Sequence, residues 1–462
     1  MANRLIVGQE LWSTLKRHLL RDAREHLAFV LAGHAAIEGG HLLLARDLIL
    51  IDDSELEGEG DHFAGLALRL DPLVSVMNEA KRKGLVLAEA HSHPFARERV
   101  RFSATDLNGQ SEFYNYLCDV FGQVPYGALV LGGASVDGLI WTNPGKPDPI
   151  AEFRIIGDDW MRLATTSARR PARPLDRSRS RRHARQILAL GDAGQRILET
   201  VHVAIVGLGG LGSLVAEQLA HLGVRRFTLV DDDRIETTNL NRLVGAKRSD
   251  VGRLKVDVAA RNIRGIGPRS DVERIPGNVR EPEALDALKR TDFIFGCVDS
   301  DSARLILNEL TLAYQTPYID GGVGIEAIDG GIVGAGGRVI VWVPGRPCLL
   351  CAAEIDVRVA GEELENEDQQ HFRREHGYVF GADMPAPSVI SLNATVASIA
   401  VTEFLALATG MRPSQHYTYY DMLEQRMGPR IVQANANCVA CAVAAFGDRV
   451  NIQRYGLEDL SH

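Results

Sequence analysis

The sequence predicts an α/β protein in which a small α/β domain is followed by a doubly wound domain built on a parallel sheet. The chain has 462 residues, more than one hydrophobic core usually serves. From about residue 186 onward, buried strands alternate with helices, as in the strand at 201–207 and the helix at 213–223. This alternation is typical of a parallel sheet with helices on both faces.

A change in composition marks the boundary between the two domains. Residues 166–185 are rich in Arg, Ser and Pro and nearly free of apolar side chains, which favours a linker. We therefore predict domains over residues 1–155 and 186–462, joined by a linker over 156–185. In the first domain, short apolar runs alternate with a helical pattern at 70–84.

Composition argues against several classes of protein. Hydrophobic residues make up 45% and charged residues 24% of the chain, which is normal for a globular protein and argues against global disorder. The formal net charge of −9 argues against nonspecific nucleic-acid binding as the main role. No apolar run approaches the length of a membrane span, and the N-terminus lacks an apolar signal-peptide core. We therefore expect a cytoplasmic protein without a membrane partner.

Two histidines, an aspartate and a glutamate in the first domain form a candidate catalytic zinc site. His91 and His93 lie two residues apart at the end of a predicted strand, so their side chains point the same way. Asp106 follows at the start of a helical pattern. Two imidazoles and one carboxylate leave a fourth position on zinc for a water that the metal acidifies. Glu25, on or just before the first strand, is the candidate base for the proton of that water.

These residues resemble the signature of the JAB/MPN (JAMM) metalloenzyme family, which is an upstream Glu, then His-Ser/Thr-His-Pro, a spacer and Ser-x-x-Asp. The resemblance covers roughly the first 150 residues. It implies a zinc metallopeptidase that cleaves peptide or isopeptide bonds after the C-terminal Gly of ubiquitin-like proteins, with Glu25 activating water. It also implies that Ser103 helps to stabilise the tetrahedral intermediate.

A glycine-rich turn opens the second domain and predicts a nucleotide site. The run GLGGLGS follows a buried strand and precedes a helix, so its glycines permit close approach of phosphate to a helix N-terminus. Asp231 ends the next strand, where a ribose-binding carboxylate belongs. Alone, this pattern fits an NAD-dependent dehydrogenase equally well. The glycines of the turn are Gly207, Gly209, Gly210 and Gly212.

Charged residues beyond the turn favour adenylation over hydride transfer. Asn239, Arg242 and Lys255 follow the second strand, and Asp299 ends a later one. Attack of a carboxylate on an α-phosphate brings two anions together, so cationic side chains around the phosphates stabilise the transition state. Asp299 is suited to magnesium, which binds through few carboxylates plus substrate phosphates.

These motifs resemble the ThiF/MoeB superfamily, which includes ubiquitin-activating enzymes, nearly continuously over about residues 182–441. The resemblance implies ATP-dependent adenylation with magnesium on Asp299. Arg185 matches an arginine that in this superfamily reaches the ATP of the partner subunit, which implies a homodimer. ATP would contact Asp231 through its ribose and, elsewhere in the site, Asp233, Asn239, Arg242 and Lys255.

Four of the six cysteines form two Cys-x-x-Cys pairs, Cys348 with Cys351 and Cys438 with Cys441. Four thiolates in two such pairs make a closed tetrahedral zinc site, so we predict a structural zinc. The ThiF/MoeB superfamily commonly carries this zinc at matching places.

No cysteine lies at residues 352–389, where ubiquitin-activating enzymes usually carry the acceptor thiol. Cys297 is expected to be a small core residue on a strand, and Cys118 lies in a helical pattern of the first domain. Either the product leaves as the acyl-adenylate, or a partner resembling a conjugating enzyme supplies the thiol.

The two halves together predict a bifunctional enzyme of bacterial-type ubiquitin-like modification. One half would adenylate the C-terminal Gly of a ubiquitin-like protein, and the other would process or deconjugate it. Its cofactors would be ATP, Mg²⁺ and two Zn²⁺ ions, one catalytic and one structural. Activation of a sulfur-carrier protein for biosynthesis is an alternative, and a binding scaffold with an inactive site is another. Resemblance to fused bacterial systems suggests a role in antiviral defence.

Overall fold

The structure is a computed structural model that describes residues 3–57, 67–96, 98–168, 181–329, 331–365 and 387–455. The chain divides into two compact units. The first unit contains residues 1–173 with the short segments 313–315 and 443–450. The second unit contains residues 174–312, 316–442 and 451–462.

The first unit combines an eight-stranded sheet with helices. The helices are α1 (Gln9–Leu19), α2 (Leu70–Lys83) and α3 (Ala104–Phe121). The strands of the sheet are β1 (Asn3–Gly8), β2 (Leu27–Ile37), β3 (Gly40–Leu50), β6 (Val86–Ser92), β7 (Tyr126–Leu131), β8 (Val136–Trp141), β9 (Asp148–Ile156) and β10 (Trp160–Ala164). A separate two-stranded pair consists of β4 (Leu56–Glu57) and β5 (Ala67–Leu68).

The sheet of the first unit closes on itself. Its strand order is β1-β3-β2-β6-β7-β8-β9-β10, and β1 also pairs in parallel with β9. Leu5 therefore lies opposite both Leu43 and Phe153. Asn3 joins the same two strands, since its Oδ1 accepts from the His41 N–H of β3 at 2.9 Å and its Nδ2 donates to the Pro149 carbonyl of β9 at 3.2 Å.

Two apolar clusters fix the helices of the first unit to this sheet. Trp12 of α1 meets Phe153 edge-on, with ring centroids 6.0 Å apart, inside one cluster. Tyr114 of α3 stacks on Trp141 at 5.7 Å inside the other cluster, which also holds Met77 of α2. Both clusters are almost fully buried, which is what the short apolar runs of the sequence predict.

The predicted linker at 156–185 is too long at its beginning. Residues 160–164 form strand β10, which pairs antiparallel with β9, and Trp160 is buried. The linker prediction weighed the Arg, Ser and Pro content of 166–185 and passed over the apolar side chains before it. Residues 169–180, at the centre of the predicted linker, lie outside the described part of the chain.

The second unit is built from the elements that follow residue 183. The helices are α4 (Ala184–Thr200), α5 (Gly210–Leu222), α6 (Lys255–Ile266), α7 (Pro282–Leu288), α8 (Asp301–Tyr314), α9 (Val357–Leu364) and α10 (Ile390–Thr409). The strands are β11 (His202–Val206), β12 (Arg226–Val230), β13 (Asp271–Ile275), β14 (Phe293–Gly296), β15 (Tyr318–Ile328), β16 (Gly331–Trp342), β17 (Tyr417–Asp421) and β18 (Arg426–Pro429).

The sheet of the second unit confirms the predicted doubly wound α/β fold and extends it. Its order is β13-β12-β11-β14-β15-β16-β17-β18. The first five strands are parallel, and β15 to β18 are antiparallel neighbours. The strand order reverses between β11 and β14, so a crevice opens at the carboxyl ends of these strands, where such folds bind ligands.

Helix α10 is longer and more apolar than the sequence analysis allowed. An 18-residue window of this 20-residue helix has a mean hydropathy of 1.6, enough by length and composition to cross a membrane. However, 56% of that window is buried inside the protein, and the helix packs against α5, β15 and β16. Packing on the sheet thus explains its apolar composition.

Candidate metal and nucleotide sites

Strand β6 and the start of α3 bring His91, His93 and Asp106 together. Their ligand atoms all lie within 4.8 Å of one another. Oδ2 of Asp106 is 3.6 Å from Nε2 of His91 and 3.4 Å from Nε2 of His93. Both histidines are buried. Three ligands of this kind, converging from a strand and a helix, match the donor set of an open zinc site.

The surroundings of His91 fit a metal cation. Its Nε2 is buried and has no hydrogen-bond partner within the described residues, an arrangement that is costly unless a ligand binds there. Burial lowers the pKa of His91, but the carboxylates of Asp106 and Glu89 outweigh it and raise that pKa to about 9. The pocket therefore favours positive charge, which a divalent cation would supply.

Glu25 reaches the same cluster from the neighbouring strand. Antiparallel pairing of β2 with β6 places Leu27 opposite His91, and Glu25 lies just before β2. Its Oε1 is 3.6 Å from Nε2 of His93. Glu25 was expected beside the first strand, but β1 precedes it in the chain. Burial raises the pKa of Glu25, which suits a group that must take a proton near neutral pH.

Ser103 is the N-cap of α3. Its Oγ accepts from the backbone N–H of Asp106 at 3.1 Å, and its own N–H donates to Oδ2 of Asp106 at 2.6 Å. This reciprocal pair is a capping box, which fixes both the start of α3 and the direction of the Asp106 carboxylate. The Ser103 hydroxyl accepts in this bond, so its own proton stays free to donate.

A cavity of about 570 Å³ opens at the carboxyl ends of β11, β12 and β14. It contains the glycine-rich turn, Asn239, Arg242, Lys255 and Asp299, as the sequence predicted for a nucleotide pocket. Arg304 of α8 also lines it, a residue that the sequence analysis did not single out. Its position five residues after Asp299, on the helix that follows that strand, was the signal available in the sequence.

The glycines of the turn have distinct roles. Gly207 has a φ of +86°, and a Cβ there would lie 2.5 Å from the carbonyl oxygen of Cys297. A Cβ on Gly212 would lie 1.9 Å from the carbonyl oxygen of Gly207. A Cβ on Gly209, the N-cap of α5, would meet nothing within 4 Å, and no side chain caps this helix. The first N–H groups of α5 are thus left for an anionic ligand.

Asp231 and Asp233 differ sharply in their surroundings. Asp231 is buried, with Oδ2 accepting from the N–H of Leu208 at 2.6 Å and Oδ1 from the N–H of Asp233 at 2.9 Å. Asp233 is exposed, and its Oδ2 is 2.5 Å from Nζ of Lys255. Asp231 therefore braces the glycine-rich turn, while Asp233 presents its carboxylate to the pocket.

Of the remaining predicted nucleotide contacts, Asn239 and Arg242 line the cavity and Arg185 does not. Arg242 donates to the carbonyl of Thr238 at 2.8 Å, and Asn239 accepts from a backbone N–H at 3.1 Å, so both loop positions are fixed. Arg185 lies in the first turn of α4, is exposed and is not among the residues that line the cavity.

The four paired cysteines converge in the second unit. Sγ of Cys348 is 3.6 Å from Sγ of Cys438, and Sγ of Cys351 is 3.7 Å from Sγ of Cys441. A hydrogen bond from Cys441 and its other thiol neighbours lower the pKa of Cys348 to about 5. Burial raises the pKa of Cys438, and the bond to Cys348 raises the pKa of Cys441, so without a cation these two thiols keep their protons more readily than Cys348. Four sulfurs within 4.8 Å fit a closed tetrahedral zinc site.

Cys297 lies beyond the end of β14, which stops at Gly296, and lines the nucleotide cavity. The prediction that it sits on a core strand is therefore wrong by one residue. Burial raises the pKa of its thiol, and the nearby Asp320 carboxylate adds to this effect. The thiol is thus kept protonated and poorly nucleophilic.

A parallel sheet with a glycine-rich turn, lysine and arginine side chains and an acidic group at its switch point defines a nucleotide-binding α/β protein. The ThiF family profile matches residues 183–440, more than half of the chain. The chain therefore belongs to the ThiF family. The match begins at residue 183, so the resemblance of the first unit to JAB/MPN enzymes stays a prediction from its residues.

Curated relatives match part of the chain. The SAMP-activating enzyme E1 of Haloferax volcanii is 31% identical over 179 residues, covering 38% of this chain and 63% of that protein. Ubiquitin-like modifier-activating enzyme 5 of Oryza sativa is 28% identical over 273 residues, covering 56% and 60%. The sulfur carrier protein adenylyltransferase of Thermus thermophilus is 28% identical over 272 residues, covering 56% and 90%. The chain thus spans about three-fifths of the first two relatives.

Among solved structures, the microcin C7 biosynthetic enzyme MccB in complex with N-formylated MccA is similar. Its TM-score is 0.47 at 20% identity, and the alignment covers 58% of this chain and 77% of that one.

Proposed function

We propose that the second unit is an ATP-dependent adenylyltransferase that activates the C-terminal Gly carboxylate of a small ubiquitin-like or sulfur-carrier protein. The observation that carries the proposal is the nucleotide cavity, where the uncapped N-terminus of α5 lies beside Arg242, Lys255 and Asp299. The relatives named for activating ubiquitin-like modifiers and sulfur-carrier proteins support it. Hydride transfer has no comparable need for this charge.

The residues divide the reaction between them. The N–H groups at the start of α5 bind the phosphates, and Arg242 and Lys255 offset the charge that builds up as the carboxylate attacks the α-phosphorus. Pyrophosphate leaves, and the protein tail becomes an acyl-adenylate. Asp299 would hold Mg²⁺, which screens the phosphate oxygens. Asp233 offers the more accessible carboxylate for the ribose, with Asp231 bracing the turn beneath it.

ATP–pyrophosphate exchange tests this function. Purified chain would be assayed with and without a panel of Gly-Gly-ending ubiquitin-like proteins, beside Asp299→Ala. Asp286→Ala, which removes an exposed carboxylate from α7, is the matched control. Exchange that requires both the protein substrate and Asp299 supports adenylation of a C-terminal carboxylate. ATP binding without exchange for any candidate tail would favour a binding scaffold.

For the first unit, we propose a zinc peptidase that cleaves after the same C-terminal Gly. His91, His93 and Asp106 would hold Zn²⁺, which acidifies a bound water and polarises the scissile carbonyl. Glu25 takes the proton from the water and passes it to the leaving amine. The Ser103 hydroxyl donates to the developing oxyanion. The convergence of His91, His93, Asp106 and Glu25 supports the proposal.

Hydrolysis of Gly-linked ubiquitin-like fusions tests the peptidase. Glu25→Gln should abolish cleavage, whereas Glu112→Gln, on the exposed face of α3, should not change it. Chelation should stop cleavage, and added zinc should restore it. Cleavage that survives both Glu25→Gln and chelation would remove this half of the proposal.

Conjugation and sulfur transfer both remain open uses of the adenylate, and the relatives support them equally. Mass spectrometry of the activated tail separates them, since sulfur transfer leaves a thiocarboxylate and conjugation leaves an amide on a second protein.

We propose a homodimer in which Arg185 of each subunit contacts the ATP of its partner. Each of the variants Arg185→Ala and Lys255→Ala should then lose pyrophosphate exchange alone. Mixing the two variants should restore part of the exchange, because one of the two sites in a mixed dimer has both side chains.

We also propose a cytoplasmic role in defence against viruses, which phage challenge of a host lacking the protein would test.

A further inference from the structure

Glu89 lies beside the candidate zinc ligands and has no role in the JAB/MPN signature. It is on β6, two residues before His91, so both side chains leave the same face of the strand. Its Oε1 is 3.1 Å from Nδ1 of His91, and its Oε2 accepts from the hydroxyl of Tyr126 at 2.9 Å. Each oxygen of this carboxylate therefore has a separate partner.

Tyr126 is a rigid support for this carboxylate. It is fully buried on β7, which pairs in parallel with β6. Its ring meets Phe113 edge-on at 5.4 Å and lies against Tyr114 at 6.4 Å. Because the ring is held on two sides, the position of its hydroxyl oxygen is fixed, and the bond that it donates holds the Glu89 carboxylate.

The bond between Glu89 and His91 decides which imidazole nitrogen is free. A carboxylate only accepts hydrogen bonds, so Nδ1 of His91 carries the proton. Nε2 is then the nitrogen with an available lone pair, and it is the buried, unpartnered atom that faces Asp106. A carboxylate bound to the outer nitrogen of a ligating histidine also makes that histidine more basic.

We propose that Glu89 is a positioning residue of the metal centre and that, with Tyr126, it sets the tautomer and the direction of His91. Two glutamates near the metal thus have different roles. Glu89 affects the affinity for the cation, and Glu25 accepts a proton from the attacking water. This inference rests on the proposed zinc site of the first unit.

The test compares Glu89→Gln with Glu25→Gln on the full-length chain. Zinc affinity of the first unit is measured by chelator competition, and Co²⁺ spectra separate its N/O ligands from the thiolates of the cysteine site. Glu89→Gln should weaken the affinity about 10–100-fold, as loss of such outer partners usually does. Glu25→Gln should keep the affinity and lose hydrolysis. Tyr126→Phe should fall between the native chain and Glu89→Gln.

His91→Ala separates failure of this inference from failure of the zinc site. If His91→Ala binds Zn²⁺ as tightly as the native chain, the proposed zinc site itself is wrong. If His91→Ala loses the ion but folded Glu89→Gln stays within about twofold of native affinity, the role of Glu89 is overturned. If Glu89→Gln does not fold, Glu89→Asp replaces it in the test, because this variant keeps the charge but moves the carboxylate away from Nδ1. Its affinity for Zn²⁺ should also fall.

A separate observation concerns a cavity of about 320 Å³ beside the metal cluster. Gln110 of α3 lines it and is only 2% exposed, yet neither Oε1 nor Nε2 has a hydrogen-bond partner among the described residues. A buried amide without a partner is unfavourable, so this group is suited to bind a ligand. Much of the cavity wall is apolar and consists of Leu27, Phe29, Leu68, Leu73 and Phe113.

We infer that this cavity holds the first residue on the leaving side of the bond that the first unit cleaves. Gly, on the other side of that bond, has no side chain to fill it. An aliphatic side chain suits the apolar wall, and the peptide group of the same residue offers both a donor and an acceptor to Gln110. The carboxylates of Glu25, Glu89 and Asp106 also line or border the cavity and disfavour an acidic side chain. This inference likewise rests on the proposed peptidase.

Binding of short peptides tests the cavity without needing turnover. Peptides that differ only in an N-terminal Leu or Asp are titrated against Glu25→Gln and against the double variant with Gln110→Leu. We expect the Leu peptide to bind at least about tenfold tighter than the Asp peptide, and Gln110→Leu to weaken it. Equal binding of both peptides overturns the inference, whether or not any Gly-linked fusion is cleaved. Cleavage of fusions with Leu or Asp after the Gly reports separately on the proposed peptidase.

Discussion

At two aspartates of the nucleotide cavity, Asp231 and Asp233, the same substitution by alanine should have different effects on stability and on ATP binding. Asp231 accepts two backbone hydrogen bonds while buried, so Asp231→Ala should lower the free energy of unfolding by about 1–3 kcal/mol. Asp233 is exposed, so Asp233→Ala should change stability by less than about 0.5 kcal/mol but weaken ATP binding. Urea unfolding and calorimetric ATP titration measure both quantities. A stability loss confined to Asp233→Ala would contradict this assignment.

Cys297 is expected to be dispensable for adenylation although it lines the cavity. Burial raises the pKa of its thiol, so little thiolate is present at neutral pH to accept an acyl group. Cys297→Ala should retain pyrophosphate exchange, and iodoacetamide should label this position slowly in the folded chain. A covalent adduct between Cys297 and a ubiquitin-like tail, detected by mass spectrometry, would refute this expectation.

At the scale of elements, alanine substitutions at two glycines of the turn at α5 should have different effects, one on stability and the other on ATP binding. A Cβ on Gly212 would collide with the Gly207 carbonyl, so Gly212→Ala should destabilise the second unit. A Cβ on Gly209 has open space, so Gly209→Ala should fold normally and instead weaken ATP binding by occupying the phosphate site. Thermal unfolding with and without ATP distinguishes the two variants. Equal melting temperatures would show that the backbone relaxes around residue 212.

Strand β11 should make stability depend on pH. His202 is buried, with Nε2 2.9 Å from Oγ1 of Thr228, and burial lowers its pKa to about 4. The unfolded chain binds this proton near pH 6.5, so the stabilising contribution is complete above pH 6.5 and is lost as pH falls toward 4. At pH 4.5 the loss should be about 2–3 kcal/mol. Urea unfolding of His202→Gln beside the native chain isolates this contribution, and parallel pH profiles would exclude it.

The sequence predicted the parts of these elements that depend on neighbouring residues. Alternation along a strand placed His91 and His93 on one face, and the order strand, glycines, helix located the nucleotide cavity. Glu89 was missed because its partners Nδ1 of His91 and Tyr126 meet it through strand pairing, which local pattern does not encode. The two backbone hydrogen bonds that Asp231 accepts were not predicted either, because the one from Leu208 joins residues that are distant in sequence. Strand β10 was missed because the Arg, Ser and Pro content after it was given more weight than the apolar side chains of its five residues.

At the scale of the whole molecule, the two candidate zinc sites should lose their ions to a chelator at different rates. The full chain should hold two zinc ions, one on histidine and aspartate and one on four thiolates. The open site should lose its ion first to a mild chelator, because a closed thiolate set has no position for the competitor. His91→Ala should retain one ion, and Cys438→Ser should lose the other and destabilise the second unit. Elemental analysis per chain with unfolding curves measures this, and undiminished zinc in Cys438→Ser would contradict it.

The pairing of β1 with both β3 and β9 has a consequence for how the chain is made. Asn3 lies opposite Ile150, so β1 must wait for almost 150 further residues to be synthesised before its second neighbour exists. Until then, one edge of an apolar strand is open to any other nascent chain. A truncation that removed residues 1–8 would make that state permanent and would uncover β3 and β9 at once. Strand β1 is therefore among the last strands of the first unit to gain both neighbours, and by pairing with β3 and β9 it closes both of their edges to intermolecular strand pairing.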